Sequence, residues 1–397
     1  MPVTKRSKEG GRQINYGSTE VVAETPDHEK VKLKLNNLRL FSNGMFSNVY
    51  RGKIVDAKSH DPESVAVKKC WSKSDSSLTE ARIFGRLHHH KHKNIVHLLY
   101  MFETHHDDRT CYGLVFEFLP STLHTYIREM RKEFRGKPDI IEVKLLAWQL
   151  FRGQAHLTNQ KIIHRDLKPQ NILVNPDTGL LKIGDFGSSK FFLAGEPSHS
   201  YHVTRYYRAP ELILKASFYG PEIDVWSCGC VFGEMLKGTV MWVGHTTEHQ
   251  LHLIASTLGQ PTEAEIKAMK GKENDILSSS EIQDFYDKAS RSPITNFQKL
   301  LPYAPIEAIQ IMIKVLQYTP TERLSGLKLL AHSWFKEIFD PSTKRYNGKS
   351  ITILSMTDYR NAVAGDRESD EGGTSATGSK SKDVNDNVEA DENNNDL

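Results

Sequence analysis

Cysteine is scarce in this sequence, with four residues among 397. The four form no C-x-x-C pair, which argues against a disulfide framework or a zinc site and fits a reducing compartment. An apolar run of about 18 residues, long enough to span a bilayer, is also missing. The amino-terminal "MPVTKRSKEGGRQ" has no apolar core of the kind that a secretory signal needs. We therefore expect a protein of the cytoplasm, the nucleus or both, with no membrane partner.

A strong excess of either charge is missing as well. The formal net charge is +3, with 25% charged and 38% hydrophobic residues. So small a net charge gives no reason to expect nucleic acid as the main partner. The basic "TKRSK" near the amino terminus favours a nucleic-acid-binding module, but the sequence gives that alternative little other support. The composition is that of a globular protein long enough to form two lobes with separate cores.

Both ends of the chain lack hydrophobic periodicity. Residues 1–35 are polar, and residues 364–397 are acidic and rich in Asn, Ser and Gly. Neither segment can bury enough apolar surface to offset the entropy of ordering it, so both are expected to be disordered tails.

Between the tails the hydrophobic pattern changes once. Residues 36–119 contain short strand-like segments interrupted by one helical pattern, "SLTEARIFGRL". From 120 to 345 helical patterns dominate, and a short extension covers 346–363. We predict an α+β fold with a small β-rich lobe that carries one main helix and a larger helical lobe, joined at "FLPST" (118–122).

Three motifs follow one another in the larger lobe: "HRDLKPQN" at 164–171, "GDFG" at 184–187 and "APE" at 209–211. In this order they match the signature of the protein kinases, and chance agreement of all three is negligible.

The chemistry of phosphoryl transfer explains these residue types, because the reaction needs positioning and charge neutralisation more than covalent help. Asp166 would accept the proton of the substrate hydroxyl, and Lys168 would lie close to the transferring phosphoryl group. Asn171 and Asp185 would hold Mg²⁺, a cation that prefers oxygen ligands.

Two more parts of the signature lie upstream. "VAVK" at 65–68 matches the strand that carries a phosphate-binding lysine, which makes Lys68 that residue. Its partner should be a glutamate on the following helix, and Glu80 lies there.

The segment "FSNGMFSNVY" directly precedes the Lys68 strand and corresponds to the glycine-rich phosphate loop. Only Gly44 of three glycines is present, with Ser42 and Ser47 in the other two positions. By itself the segment fits an ordinary hairpin better. With the other motifs in place, we interpret it as a phosphate loop that is impaired or retuned by the serines, since glycine permits backbone angles and close approach that a Cβ restricts.

The chain resembles the glycogen synthase kinase-3 family over roughly residues 36–345. The resemblance is carried by "LVFEFLP", "KIIHRDLKPQNILVNPDTGLLKIGDFGSSK", "GEPSHSYHVTRYYRAPELI", "IDVWSCGC", "LGQPT" and "YTPTERL". It implies a bilobal protein-kinase fold that binds ATP between the lobes, with Phe116 as gatekeeper and Phe118 at the hinge. The residues expected to bind ATP are Phe41, Ser42, Asn43, Gly44, Met45, Phe46, Ser47, Asn48, Val49, Ala66, Lys68, Glu117, Leu119 and Leu173.

The resemblance implies three further features of the larger lobe. Glu211 and Arg323 should form a buried ion pair, and Asp224 should brace the catalytic loop. Tyr201 falls on the tyrosine that the family autophosphorylates, where a phosphate could pair with nearby arginines. The alternative for Tyr201 is an unmodified tyrosine that only packs.

The family prefers substrates that already carry a phosphate, which three basic residues hold. Two are present here, Arg165 and Lys190, but the third should directly precede Glu80, where this sequence has Thr79. Arg82 is the nearest alternative, and it points elsewhere on the helix. Because each lost charge-assisted hydrogen bond removes roughly 1.5–3 kcal/mol, a preference for primed substrates is doubtful.

The sequence thus favours an active, monomeric Ser/Thr protein kinase that uses ATP and Mg²⁺ and acts on protein substrates. Scaffold proteins are further candidate partners. The competing hypothesis is a pseudokinase that binds partners or nucleotide without transferring phosphate. Only the serine-substituted loop favours it. A run of histidines, "HHHKHK" at 88–93, fits a solvated loop better than a metal site, since nothing nearby supplies a second shell of partners.

Overall fold

The computed structural model describes residues 18–43, 47–55, 62–70, 75–106, 109–198, 205–272 and 292–364. These residues form a small β-rich lobe with one helix and a larger helical lobe, so the predicted α+β bilobal fold is confirmed. Within the same ranges, no helix combines the length and the apolarity that crossing a membrane requires.

The small lobe is a closed barrel of six strands. They are β1 Thr19–Glu24, β2 Lys30–Asn43, β3 Ser47–Ile54, β4 Val65–Cys70, β5 Leu98–His106 and β6 Arg109–Glu117. Neighbours run in the order β1-β2-β3-β4-β6-β5, and β1 pairs with β5 to close the barrel. Helix α1 (Asp75–His89) packs against this sheet with Ile83, Phe84 and Leu87 buried, as its apolar pattern predicted.

The expectation of a disordered tail over residues 1–35 is wrong for residues 19–35. Strand β1 pairs with β2 over six residues, from Thr19 opposite Leu35 to Glu24 opposite Lys30. The reason is an alternation that the polar composition hides: "KVKLKL" places Leu33 and Leu35 in the barrel and the lysines in solvent. Residues 1–17 and 365–397 lie outside the described residues.

Leu35 provides a test of this added part of the barrel. It is fully buried, whereas Leu40 on the same strand is 46% exposed. We expect Leu35→Ala to lower the free energy of unfolding by roughly 2–5 kcal/mol, because it removes buried methyl groups and leaves a cavity. Leu40→Ala is the matched control and should change it by at most roughly 0.5 kcal/mol. Urea unfolding measures both, and equal effects would contradict a barrel that begins at β1.

The larger lobe is built on helices. The helices that follow α1 are α2 Leu123–Glu133, α3 Ile140–Asn159, α4 Pro210–Ile213, α5 Glu222–Lys237, α6 Thr247–Leu258, α7 Glu263–Met269, α8 Pro293–Leu300, α9 Ile306–Val315, α10 Gly326–Leu330 and α11 Met356–Ala364. Helices α3 and α5 form the centre of the core, where Trp148 and Trp226 are fully buried. Asp139 starts α3 by accepting a hydrogen bond from the backbone N–H of Glu142.

Short strands in the larger lobe carry the functional segments. They are β7 Ser121–Thr122, β8 Ile162–Ile163, β9 Ile172–Asn175, β10 Leu180–Ile183 and β11 Lys190–Phe191. Strand β9 pairs with both β7 and β10, which places the hinge, the catalytic loop and the "GDFG" segment side by side.

The histidine run is not a solvated loop throughout. Helix α1 continues through His89, and His92 is only 2% exposed, with its ring stacked on His156 of α3 at 4.5 Å. Burial lowers the pKa of His92 well below its usual value, so its ring is neutral near pH 7 and can pack in the core.

Candidate active site

A cleft of about 300 Å³ lies between the lobes and collects most of the residues predicted to bind ATP. Those that line it are Phe41, Ser42, Ser47, Val49, Ala66, Lys68, Glu117, Leu119 and Leu173. Asn43 and Asn48 pair with each other between β2 and β3 and are not among the residues that line the cleft. Gly44, Met45 and Phe46 lie outside the described residues. Four further residues line the cleft that no sequence motif marked as ATP-binding, and they belong to four separate segments: Tyr50, Val96, Thr122 and Gln170.

The described parts of "FSNGMFSNVY", residues 41–43 and 47–50, pair as antiparallel strands and also line the cleft. Ser42 pairs with Val49, and Ser42 and Ser47 both line the cleft. Phe41 contacts Phe118 of the hinge edge to face, with ring centroids 5.5 Å apart. The Arg51 guanidinium lies 4.5 Å from the centre of the Phe118 ring. A hairpin and a phosphate loop are therefore compatible interpretations of this segment.

Lys68 forms a three-membered charge cluster at the back of the cleft. Its ammonium donates to both carboxylate oxygens of Glu80, at 2.8 and 3.0 Å, and to Asp185 Oδ1 at 2.9 Å. Burial by itself would lower the pKa of Lys68, but the two carboxylates outweigh it and raise the pKa above the usual value of a lysine. Lys68 is therefore a permanent cation that holds helix α1 and the "GDFG" segment in place together.

Asp166 is held by its neighbours in the catalytic loop. Its Oδ2 accepts hydrogen bonds from Lys168 Nζ at 2.8 Å and from Asn171 Nδ2 at 2.9 Å. Its Oδ1 is buried and finds no hydrogen-bond partner among the described residues. A buried acceptor without a partner is costly, so Oδ1 is suited to accept a hydrogen bond from a group that enters the site.

Asn171 and Asp185, the two predicted Mg²⁺ ligands, both line the cleft. Asn171 Nδ2 is used by Asp166, which directs the two amide N–H groups away and leaves the amide oxygen as an acceptor. A carboxylate and an amide oxygen on one wall form the hard donor set that Mg²⁺ prefers. The residues present therefore fit this cation.

Asp224 of α5 holds the catalytic loop in a strained conformation. Arg165 has a left-handed backbone, with φ of 67°, which non-glycine residues rarely adopt. The Asp224 carboxylate accepts hydrogen bonds from the backbone N–H of His164 at 2.6 Å and of Arg165 at 2.9 Å. The brace that the resemblance implied for Asp224 is present in this geometry.

Edge-to-face ring contacts behind the cleft keep Phe186 inward. Phe186 is fully buried between Phe84 of α1, with ring centroids 5.0 Å apart, and His164, at 4.9 Å. His164 is fixed in turn by a hydrogen bond of 2.9 Å between its Nε2 and the backbone oxygen of Gly184. With Phe186 held inside, Asp185 faces the cleft.

The two basic residues expected to hold a priming phosphate lie close together. Arg165 donates to the backbone oxygen of Ser188, and Lys190 donates to the hydroxyl of Ser198. Burial and the nearby Arg165 charge lower the pKa of Lys190. Thr79 lies on α1 directly before Glu80. Tyr201 lies outside the described residues.

Glu211 and Arg323 form the ion pair that the resemblance implied. Two parallel hydrogen bonds of 2.7 Å join the guanidinium to the carboxylate, and both side chains are buried. The pair links α4 to the turn before α10. Helix α4 begins where the activation segment ends, which is the stretch from the "GDFG" motif to the "APE" motif (184–211).

The sequence is similar to known proteins over most of its length. Residues 36–335 match the protein kinase domain family. A curated "Protein kinase gsk3" of Schizosaccharomyces pombe is 34% identical over 347 residues, which cover 86% of this chain and 85% of that protein. A "Glycogen synthase kinase 1" of Pyricularia oryzae is 36% identical over 326 residues, covering 82% and 77% respectively.

Proposed function

Because the chain belongs to the glycogen synthase kinase-3 family and is a protein serine/threonine kinase, we propose that its cleft binds ATP with Mg²⁺ and that Asp166 directs γ-phosphoryl transfer to protein hydroxyls. The observation that carries the proposal is the Lys68–Glu80–Asp185 cluster, in which all contacts are formed at 2.8–3.0 Å. Lys68 and Glu80 are 12 residues apart in the sequence, whereas Asp185 follows Lys68 by 117 residues. The cluster aligns a cation and a metal-binding carboxylate on one wall of the cleft.

The residues of the chain divide the work as follows. The substrate hydroxyl donates to Asp166 Oδ1, which orients the oxygen and accepts its proton as the oxygen bonds to the γ-phosphorus. The bond between the γ-phosphorus and the β–γ bridging oxygen breaks in the same step, and ADP leaves. Lys68 and Lys168 neutralise negative charge on the phosphate groups. Asn171 and Asp185 would hold Mg²⁺, which when bound would neutralise part of the negative charge on the phosphate groups of ATP.

The alternative is a pseudokinase that binds nucleotide or partners without chemistry, favoured only by Ser42 and Ser47 in the phosphate loop. Purified protein incubated with Mg²⁺-ATP and a serine peptide, followed by mass spectrometry, separates the two hypotheses. We expect phosphate on the peptide and none with Asp185→Asn. Stabilisation of the wild type by Mg²⁺-ATP without any transfer would favour the pseudokinase.

We propose that Tyr201 is phosphorylated by the kinase itself. The support is the match of "GEPSHSYHVTRYYRAPELI" to the family pattern and the presence of Arg205 and Arg208 shortly after the tyrosine. A phosphate would add a charge of about −1.5 to −2 that these arginines can pair with. In the same incubation, phosphate should be found on Tyr201 in the wild type and be missing in Asp185→Asn.

We also propose that primed substrates have little advantage over unprimed ones. Arg165 and Lys190 provide two cations, but Lys190 is engaged by Ser198 and the third position is Thr79. A phosphate would have to displace the Ser198 hydroxyl and would lack the third charge-assisted hydrogen bond.

Thr79→Arg should therefore create the missing preference. We expect the ratio of kcat/KM for a primed peptide over its unprimed form to rise by roughly tenfold or more, because a charge-assisted hydrogen bond contributes roughly 1.5–3 kcal/mol. Thr79→Met is the control, since it adds length without charge and should leave the ratio unchanged. A wild type that already strongly prefers the primed peptide would contradict the proposal.

The expected partners follow from the reaction. The substrates are proteins with serine or threonine hydroxyls, and we propose a monomer that acts in the cytoplasm, the nucleus or both. Scaffold proteins are not carried over from the family, because the segment 264–300 departs from the family pattern and most of it, residues 273–291, lies outside the described residues.

A further inference from the structure

Lys182 is a buried lysine that the catalytic scheme does not use. It lies on β10, its side chain is only 5% exposed, and it does not line the cleft. Its ammonium contacts Glu117 Oε1 at 2.8 Å, and it donates more weakly to the backbone oxygen of Ile95 at 3.4 Å. Burying a charged ammonium is costly, so this position needs its carboxylate partner.

Glu117 also forms two hydrogen bonds with the backbone of His97. Its Oε1 accepts the backbone N–H of His97 at 2.9 Å, and its own N–H donates to the His97 backbone oxygen at 3.3 Å. Burial and the Lys182 charge lower the pKa of His97, although Glu117 opposes this, so the ring is neutral near pH 7. Among the described residues, Lys182 is therefore the cation that balances Glu117.

These contacts join two walls of the cleft. Glu117 ends β6 and begins the hinge, and it lines the cleft. Lys182 pairs in the sheet with Leu173, which forms the opposite wall, and it precedes Asp185 by three residues. The ion pair thus fixes the hinge of the small lobe to the strand of the larger lobe that leads into Asp185.

We propose that Lys182 is a positioning residue for nucleotide binding. Through its ion pair with Glu117, it fixes the position of the hinge relative to Leu173 and Asp185. The inference rests on the proposed function, since it concerns the cleft that binds ATP. Lys182 touches no part of the nucleotide, and its effect is transmitted through the hinge backbone. Loss of the pair lets the hinge shift, which weakens ATP binding more than it slows the chemical step.

The test compares Lys182→Met with Lys182→Arg. Methionine keeps the length of the side chain without its charge, and the Glu117 carboxylate, 22% exposed, can be hydrated. We expect the KM for ATP to rise roughly three- to tenfold, the range typical of a residue that acts on a site it does not touch, with kcat within about twofold. Arginine restores the contact and should bring the KM back towards the wild-type value.

Lys144→Met is the matched control. Lys144 on α3 is a buried lysine, 11% exposed, that pairs with Glu337 and lies outside the described lining of the cleft. A purely structural effect of losing a buried lysine would lower Tm in both variants. Positioning predicts that only Lys182→Met changes the KM for ATP and the shift of Tm caused by Mg²⁺-ATP.

The outcomes separate this inference from the proposed function. An unchanged KM in Lys182→Met, or a KM in Lys182→Arg as high as in Lys182→Met, overturns the inference. A wild type that neither binds Mg²⁺-ATP nor transfers phosphate overturns the proposed function instead. If Lys182→Met does not fold, the double variant Lys182→Met/Glu117→Gln removes both charges and should show the same rise in KM.

Discussion

Replacing Asp166 by asparagine will lower kcat by roughly 10²–10⁴-fold, the usual contribution of a positioned general base. Asparagine preserves the size of the side chain and can still accept from Lys168 or Asn171, but it cannot take the proton of the substrate hydroxyl. Because Asp166 does not belong to the described lining of the nucleotide cleft, the KM for ATP should change by less than about twofold. Steady-state kinetics with a serine peptide measures both quantities.

An asparagine substitution at an exposed position provides the control. Asp177, whose side chain is 86% exposed, should tolerate Asp177→Asn without any change in kcat. Equal Tm values for Asp166→Asn and the wild type would establish that the loss is chemical. More than a tenth of wild-type activity in a well-folded Asp166→Asn variant would contradict the role of Asp166 as base.

The catalytic constellation could be predicted because its members lie in short motifs with fixed spacing. Asp166, Lys168 and Asn171 belong to one loop, and Glu80 follows Lys68 by 12 positions, on the next helix. The structure brings these side chains to within 2.8–3.0 Å of their partners. Local spacing is sufficient here because a single strand, helix or loop sets the position of each residue.

The amino-terminal boundary was the main error, and its cause is physical. Residues 30–35 alternate lysine with apolar residues, so the mean hydropathy is low while one face of the strand is entirely apolar. In a sheet that packs one face on the core and exposes the other to solvent, a strand needs apolar residues on the buried face only. Composition averages the two faces and therefore suggested disorder where the barrel closes.

Contacts between distant segments were beyond what periodicity can predict. Glu117 and Lys182 lie 65 positions apart, and neither their hydrophobic environment nor any motif marks them as partners. The same holds for His92, whose stacking on His156 depends on the packing of α3 behind the loop. Such pairs are fixed by the tertiary fold, and only the resemblance to a family could suggest them in advance, as it did for Glu211 and Arg323.

Replacing Arg323 by methionine will lower the free energy of unfolding by roughly 3–5 kcal/mol. The substitution leaves Glu211, only 2% exposed, as a buried carboxylate without the two hydrogen bonds of 2.7 Å that now satisfy it. It also removes the bonds that Arg323 donates to the backbone oxygens of Gln317 and Glu222. Urea unfolding of the two proteins gives the difference directly.

The control for this prediction is an exposed ion pair of the small lobe. Lys53 and Glu63 are 49% and 88% exposed, so Lys53→Met should cost at most roughly 1 kcal/mol. A comparably small cost for Arg323→Met would mean that Glu211 finds water or another partner, and the pair would not be an anchor of the activation segment.

The double variant Arg323→Met/Glu211→Leu separates the cost of an unpaired charge from the value of the pair itself. Removing both charges should recover at least half of the stability lost in Arg323→Met, because no buried carboxylate remains. Recovery should stay incomplete, since the backbone oxygens of Gln317 and Glu222 still lack their donor. A double variant as stable as the wild type would mean that the ion pair contributes nothing to the free energy of unfolding and serves to position α4. Its loss should then change kcat alone.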